Sequence, residues 1–274
     1  ALQKVRGLFD ARKAGHTGNL DPFATGMLPI CLGEASKTAG FILDAAKIYE
    51  ARARFGQATA TGDIEGEVTR ELPVPPAGAQ EIRQALAAFL GEIEQVPPMY
   101  SALKHEGQPL YKLAREGREV ERKPRRVQIH SLDLLAWAPP ILQFRVRCSK
   151  GTYVRTLAED IAESLGCCAH LEALRRLSVD PFGEPDMIGL EELEALAGSG
   201  RLAECLLPVD AGLAGWPRID LDAAAQRRFA HGNPVERPAE QPGMVRVYSS
   251  EGRLLGIGEI TAGGLLRPRR LMNL

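Results

Sequence analysis

Twelve residues near the start of the chain, 15–26 ("GHTGNLDPFATG"), hold one carboxylate, Asp21, and one imidazole, His16, inside a frame of three glycines. An aspartate before a proline is an ordinary helix start, the acid capping and the proline taking the first helical position. The recurrence of Gly15, Gly18, Gly26 and Gly33, together with Pro22 and Pro29, argues for a more restricted purpose. Glycine at this density serves left-handed backbone or the close approach of another chain or a ligand. The frame is not a phosphate loop, since no Gly-Lys-Ser/Thr follows, and its glycines are wrongly spaced for a dinucleotide fingerprint. Glycoside hydrolysis needs two carboxylates, and Asp21 stands alone until Glu34. What remains is a single aspartate acting as nucleophile or electrostatic stabiliser, ionised beside a cation.

Elements that could position such a group follow in order. Residues 48–55 ("IYEARARF") alternate strictly, which makes a half-buried strand with Tyr49, Ala51, Ala53 and Phe55 on the covered side. Residues 81–93 ("EIRQALAAFLGEI") have helical spacing after the Pro/Gly linker at 73–79. Residues 97–127 read as a polar, basic insertion whose helical piece "PLYKLAREG" has too little apolar surface to anchor itself without a partner. A second alternating strand at 142–148 leads through a turn, with Tyr153 and Arg155, into a helix carrying Leu157, Ile161 and Leu165 and ended by Gly166. After "DAGLAGWP" (210–217) come a short helix closed by Gly232 and two strands about a Ser-Ser-Glu-Gly turn, a small α/β module.

At 274 residues, 45% hydrophobic and 25% charged, the chain has a globular balance and room for one large and one small domain. No apolar run reaches membrane-spanning length, and the first residues lack a signal-peptide core, so a cytoplasmic protein is expected. Its five cysteines are odd in number and lack Cys-x-x-Cys spacing, which points to reduced thiols rather than disulfides or zinc. The net charge of −1 conceals segregation, because residues 104–126 carry eight Lys/Arg against four Glu. Such a cluster suits nucleic-acid contact, although charge runs are more often merely solvated.

With these residues in view, the chain resembles the TruB family of bacterial tRNA pseudouridine-55 synthases. "GHTGNLDPFATGMLPICLG" is similar to that family's catalytic signature, "KIYEARARFGQATATGDIEG" to its tyrosine strand with a T-x-T-x-D-x-x-G continuation, and "VPPMYSALKHEGQPLYKLAREG" to its RNA-binding insertion. "CSKGTYVRTLAEDIAESLG" resembles its arginine motif, and "HLEALRRLSVDPF" the segment after it. The motifs lie in the family's order and span most of residues 2–210. The resemblance implies a mixed α/β fold: a pseudouridine synthase core, with a largely antiparallel central sheet and flanking helices, over 1–212, and a PUA-like RNA-binding domain over 213–274. It implies Asp21, Tyr49 and Arg155 as catalytic residues. His16 would hold the flipped nucleotide, Tyr153 and Leu174 would line the pocket, and Lys104, Arg122, Lys123, Arg125 and Arg126 would meet RNA. It implies a further strand and a Lys-Pro-x-Gly-x-Ser-Ser-like segment ahead of the first helix, so an edge of the sheet is expected to be missing. Asn19 departs from the family's smaller residue.

The implied reaction turns uridine into its C-glycoside isomer without redox or hydrolysis, so neither metal nor cofactor is required. A tRNA T-stem-loop is the expected partner, with no membrane and no obligatory protein partner, and a monomer suffices. The base must leave its stack to reach Asp21, which asks for an aromatic partner such as Tyr49. A non-catalytic RNA-binding or tRNA-folding protein retaining the fold is the alternative, but binding alone would not require a carboxylate in a basic site.

Overall fold

The computed structural model describes residues 1–237 and 241–273. They form two compact units, one of Leu20–Met27 and Asp44–Pro185, the other of Ala1–Asn19, Leu28–Leu43 and the described part of Asp186–Leu274. Among the described residues no helix is long and apolar enough to cross a membrane.

The first unit is built on a six-stranded sheet: β1 (Thr25–Gly26), β2 (Lys47–Phe55), β3 (Gly91–Gln95), β4 (Arg125–Ala138), β5 (Ile141–Cys148) and β6 (Ala169–Val179), in the spatial order β1-β6-β2-β5-β4-β3. Every pairing is antiparallel except β1 with β6, the largely antiparallel sheet that was expected. The two alternating runs read from sequence are its centre. Ala51 pairs with Phe144 and Ala53 with Leu142, so one face of β2 and β5 is apolar and the other carries Arg52, Arg54 and Arg145. Two helices cover the apolar face: α1 (Ala79–Ala87) through Ile82 and Leu86, and α3 (Val154–Ser164) through Leu157 and Ile161. Burying such a side chain contributes roughly 1.5–3 kcal/mol, so this seam holds the unit together. Gly166, at φ +71°, ends α3, and the Cys167 amide returns to the Ala162 carbonyl at 2.9 Å.

Three expectations need correction. The helix expected over 81–93 stops at Ala87, because Gly91, at φ +93°, turns the chain and releases 91–95 as edge strand β3. In that strand Glu92 and Glu94 are exposed while Gln95 is buried, a period of two too short to stand out from the preceding helix. The insertion is also better anchored than its composition suggests. Its helix α2 (Leu110–Arg115) buries Leu110 and Leu113, three residues apart on one face, and Leu113 is only 2% exposed. Arg125 and Arg126 belong not to that insertion but to the start of β4, opposite Gln95 and Glu94.

The second unit contains helix Leu2–Leu8 and a ladder pairing Ala14–His16 with Ile30–Leu32. It also contains a five-stranded sheet of β7 (Arg218–Leu221), β8 (Val235–Glu236), β9 (Gly243–Ser249), β10 (Leu254–Ile260) and β11 (Leu265–Leu271), ordered β7-β9-β10-β11-β8. Helix α4 (Ala223–Ala230), capped by Asp222, packs Phe229 against Val247 and Leu266 in its core. Arg267, Arg269 and Arg270 lie on strand β11, where Arg269 pairs with Glu259 at 2.5 Å.

Candidate active site

Asp21 opens a loop, 20–27, that closes on itself where the Ala24 amide donates to the Asp21 carbonyl at 2.9 Å. The far end of the loop is fixed to β6, because the Met27 amide donates to the Arg176 carbonyl at 2.8 Å. Gly26 is required there: its φ is +98°, and a Cβ would lie 2.2 Å from that carbonyl oxygen. The glycine frame thus holds a carboxylate against a sheet edge.

Arg155, in the first turn of α3, meets Asp21 with two nitrogens, Nε 2.9 Å from Oδ2 and Nη2 3.2 Å from Oδ1. Its remaining capacity is met by the Thr61 carbonyl at 2.6 Å, the Tyr100 carbonyl at 2.8 Å and the Asp63 carboxylate at 3.4 Å. The arginine and Asp63 side chains are each 4% exposed, whereas Asp21 is 35% exposed. Asp21 is therefore the one member of this cluster open to a substrate. Asp63 is itself held by the Thr61 hydroxyl at 2.6 Å and the Glu65 amide at 3.0 Å. The T-x-T-x-D-x-x-G stretch is the seat of Arg155, and a Cβ on Gly66 would fall 2.5 Å from the Thr61 hydroxyl.

Burial pushes the Asp21 carboxyl above its ordinary range, Arg155 draws it back, and Asp63 adds to the rise. The arginine alone would keep the carboxyl low; desolvation acts in the opposite sense and is larger. Tyr49 lies half-buried on the apolar face of β2, directly opposite Arg176 of β6, whose guanidinium draws the phenol pKa down against burial. Burial raises the phenol, which stays neutral and able to donate or accept. Leu174 lies opposite Ala51 on the same face and is buried. Tyr153 precedes α3, held by its amide donating to Gln95 Oε1 at 3.1 Å and by Gln95 Nε2 donating to its carbonyl at 3.3 Å. Both tyrosines are near enough to feel the Asp21 charge.

The fold thus brings together Asp21, Arg155, Tyr49, Tyr153 and Leu174 within one unit. His16 belongs to the other unit, where its Nδ1 accepts from the Gly18 amide at 3.3 Å, and Asn19 is exposed. Of the basic residues, Lys104, Lys123 and Arg125 are exposed. Arg122 is engaged internally, donating to the Pro97 carbonyl at 3.3 Å and to Glu119 at 3.0 Å. Arg126 pairs loosely with Glu92 and Glu94, contacts of little energy that an anion could displace.

Sequence reasoning does not single out Asp63, Arg176, Gln95 or Glu159. Glu159 lies one turn beyond Arg155 and lines a cavity of about 510 Å³ with Thr61, Gly62, Met99, Tyr100 and Arg118. Burial, then Asp160, push its carboxyl up to about 7. Signals for two of them are present: Thr59, Thr61 and Asp63 alternate like a strand, and Arg176 sits in register with Leu174 on the inward side of β6.

Comparison with known proteins agrees along the whole chain. The family described as "TruB family pseudouridylate synthase (N terminal domain)" matches residues 6–154, "tRNA pseudouridylate synthase B C-terminal domain" matches 155–214, and "Pseudouridine synthase II TruB, C-terminal" matches 217–272. Curated relatives named tRNA pseudouridine synthase B, from Pseudomonas aeruginosa (strain UCBPP-PA14) and Dechloromonas aromatica (strain RCB), are each 52% identical over all of this chain and 91% of their own length. Among solved structures, a chain of an H/ACA RNP bound to a substrate RNA containing 2'-deoxyuridine superposes with a TM-score of 0.73 at 21% identity, covering 97% of this chain and 78% of its own. A Cbf5-Nop10-Gar1 complex gives 0.72 at 22%, with the same coverage. At that identity the likeness concerns the fold.

Proposed function

The chain belongs to the TruB family of pseudouridylate synthases and is a tRNA pseudouridine synthase, an isomerase; we propose that its target is the uridine at position 55 in the T-arm and that Asp21 is the carboxylate that attacks it. The observation that carries this reading is the unequal exposure of one ion-paired cluster. Arg155 and Asp63 are sealed, while Asp21, held through both oxygens, faces outward beside a neutral tyrosine.

The reaction breaks the N1–C1′ bond, turns the base over and forms C5–C1′; C5 gives up its proton and N1 gains one. Asp21 acts on the nucleotide at C6 of the ring or at C1′ of the sugar. Arg155 favours the ionised carboxylate and fixes its direction. Tyr49 stacks on the extruded uracil and serves the proton step at C5, with Tyr153 and Leu174 walling the pocket and His16 holding the flipped state. Lys104, Arg122, Lys123, Arg125 and Arg126 meet phosphates of the T-stem, which makes binding salt-dependent. Residues 1–212 carry the chemistry and 213–274 a PUA-like RNA contact. The protein works as a monomer in the cytoplasm without a protein partner.

Position is tested by mapping pseudouridine in a T-arm stem-loop and in the same RNA with cytidine at 55. The reading expects modification of the first at that single site and none of the second. Modification elsewhere in either RNA would overturn the assignment of position.

A further inference from the structure

Arg155 is not the only buried arginine beneath the site. Arg176 is 1% exposed, and a basic residue is rarely taken so far out of water without a task. Its Nε donates to the Met27 carbonyl at 2.7 Å, at the far end of the Asp21 loop, while its own carbonyl accepts from the Met27 amide at 2.8 Å. Side chain and backbone of one residue therefore clamp the same residue of the loop. On its other side lies Tyr49, its direct cross-strand neighbour, close enough for the guanidinium to draw the phenol pKa down against burial. The register of β6 slips between Arg176 and Ser178, a bulge opposite Tyr49, and bulges of this kind re-aim side chains beside active sites.

We propose that Arg176 is a positioning residue for the isomerisation, a strut that sets the Tyr49 phenol relative to the Asp21 loop by clamping the loop at Met27 while lying against the phenol from the neighbouring strand. Arg155 acts on the carboxylate itself, whereas Arg176 acts through Tyr49 and the Met27 backbone. A guanidinium suits this role because its rigid planar fork donates to the Met27 carbonyl while extending its charge toward Tyr49, which the compact point charge of a lysine cannot do at once. The proposal rests on the roles given above to Asp21 and Tyr49.

The test is a double-mutant cycle with Arg176→Lys and Tyr49→Phe, read as the single-turnover rate of pseudouridine formation on a T-arm stem-loop, with RNA affinity measured alongside. Misplacing a reacting group by about 1 Å costs on the order of a hundredfold, so Arg176→Lys is expected to lose that much rate with little change in affinity. In the Tyr49→Phe background the same substitution is expected to cost far less, because its main route of action is gone. Equal losses in both backgrounds, or an unchanged rate, would overturn the proposal. Asp21→Asn is assayed in parallel; if it retains activity, the reading of Asp21 fails whatever Arg176 does. Arg176→Gln goes through the same cycle in case the lysine variant does not fold. Protein carrying ¹³C-labelled tyrosine gives an independent readout. The Tyr49 ring-carbon signal is expected to titrate at higher pH in Arg176→Gln than in the wild-type protein, because a guanidinium beside the phenol favours its ionised form, and an unmoved titration would overturn the proposal.

Discussion

At the scale of residues, one guanidinium between two carboxylates explains most of the site. Asp63 gives Arg155 a buried counter-charge that no substrate reaches, so Asp21 can be exposed without leaving the arginine unpaired. Removing the arginine strands Asp63. Arg155→Met is expected to destabilise the chain by about 3–5 kcal/mol, measured by urea unfolding, and Arg155→Lys is not expected to restore activity because a point charge cannot serve all four acceptors. Asp63 also helps to hold the Asp21 carboxyl above its ordinary range. The active form is the ionised one, so the rate falls as pH drops through the raised value. Asp63→Asn is expected to move that acid limb to lower pH in a single-turnover rate profile, and an upward move would contradict the coupling. Asp21 was legible because its glycine frame flags itself locally, and Arg155 because its motif resembles that of a known family. Asp63 and Arg176 were not, since their meaning lies in partners nearly a hundred and fifty residues away at most, which only the sheet brings together.

At the scale of elements, the aspartate loop, β6 and α3 position the chemistry. Gly26 presses on the β6 backbone, where any side chain meets a carbonyl oxygen rather than a flexible tip. Gly26→Ala is expected to cost about 1–3 kcal/mol, and to reduce turnover far more than RNA affinity, as measured by thermal unfolding and by filter binding. Helix α3 contributes a pH dependence. Folding raises Glu159 from 4.5 to about 7 and Asp160 from 3.8 to about 6. Between those limits the folded chain binds more protons than the unfolded one, so stability falls as pH rises from the lower values through the upper ones. Glu159→Gln is expected to flatten that decline between about pH 5 and about pH 8 in urea unfolding, and an unchanged slope would place the effect elsewhere. The central strands were readable from strict alternation in 48–55 and 142–148. Strand β3 was not, because "GEIEQ" continues an amphipathic helix without a break until Gly91 takes a positive φ.

At the scale of the whole molecule, a net charge of −1 hides a local excess of cations in residues 104–126. The exposed cations Lys104, Lys123 and Arg125 cluster in sequence, whereas Arg122 and Arg126 are met by glutamates in the free protein. Substituting Lys104, Lys123 and Arg125 with glutamine is expected to weaken binding to any tRNA alike and to lower the slope of log affinity against log salt by about one for each phosphate no longer neutralised. A change confined to one RNA sequence would instead mean base recognition. The central claim, that this chain isomerises uridine through Asp21, is tested most directly by tritium release from [5-³H]uridine in a T-arm stem-loop, with Asp21→Asn beside the unaltered chain. Release by the unaltered chain and none by Asp21→Asn, with RNA bound equally by both, is the predicted result. Release by Asp21→Asn, or bound RNA without release by either, would contradict it.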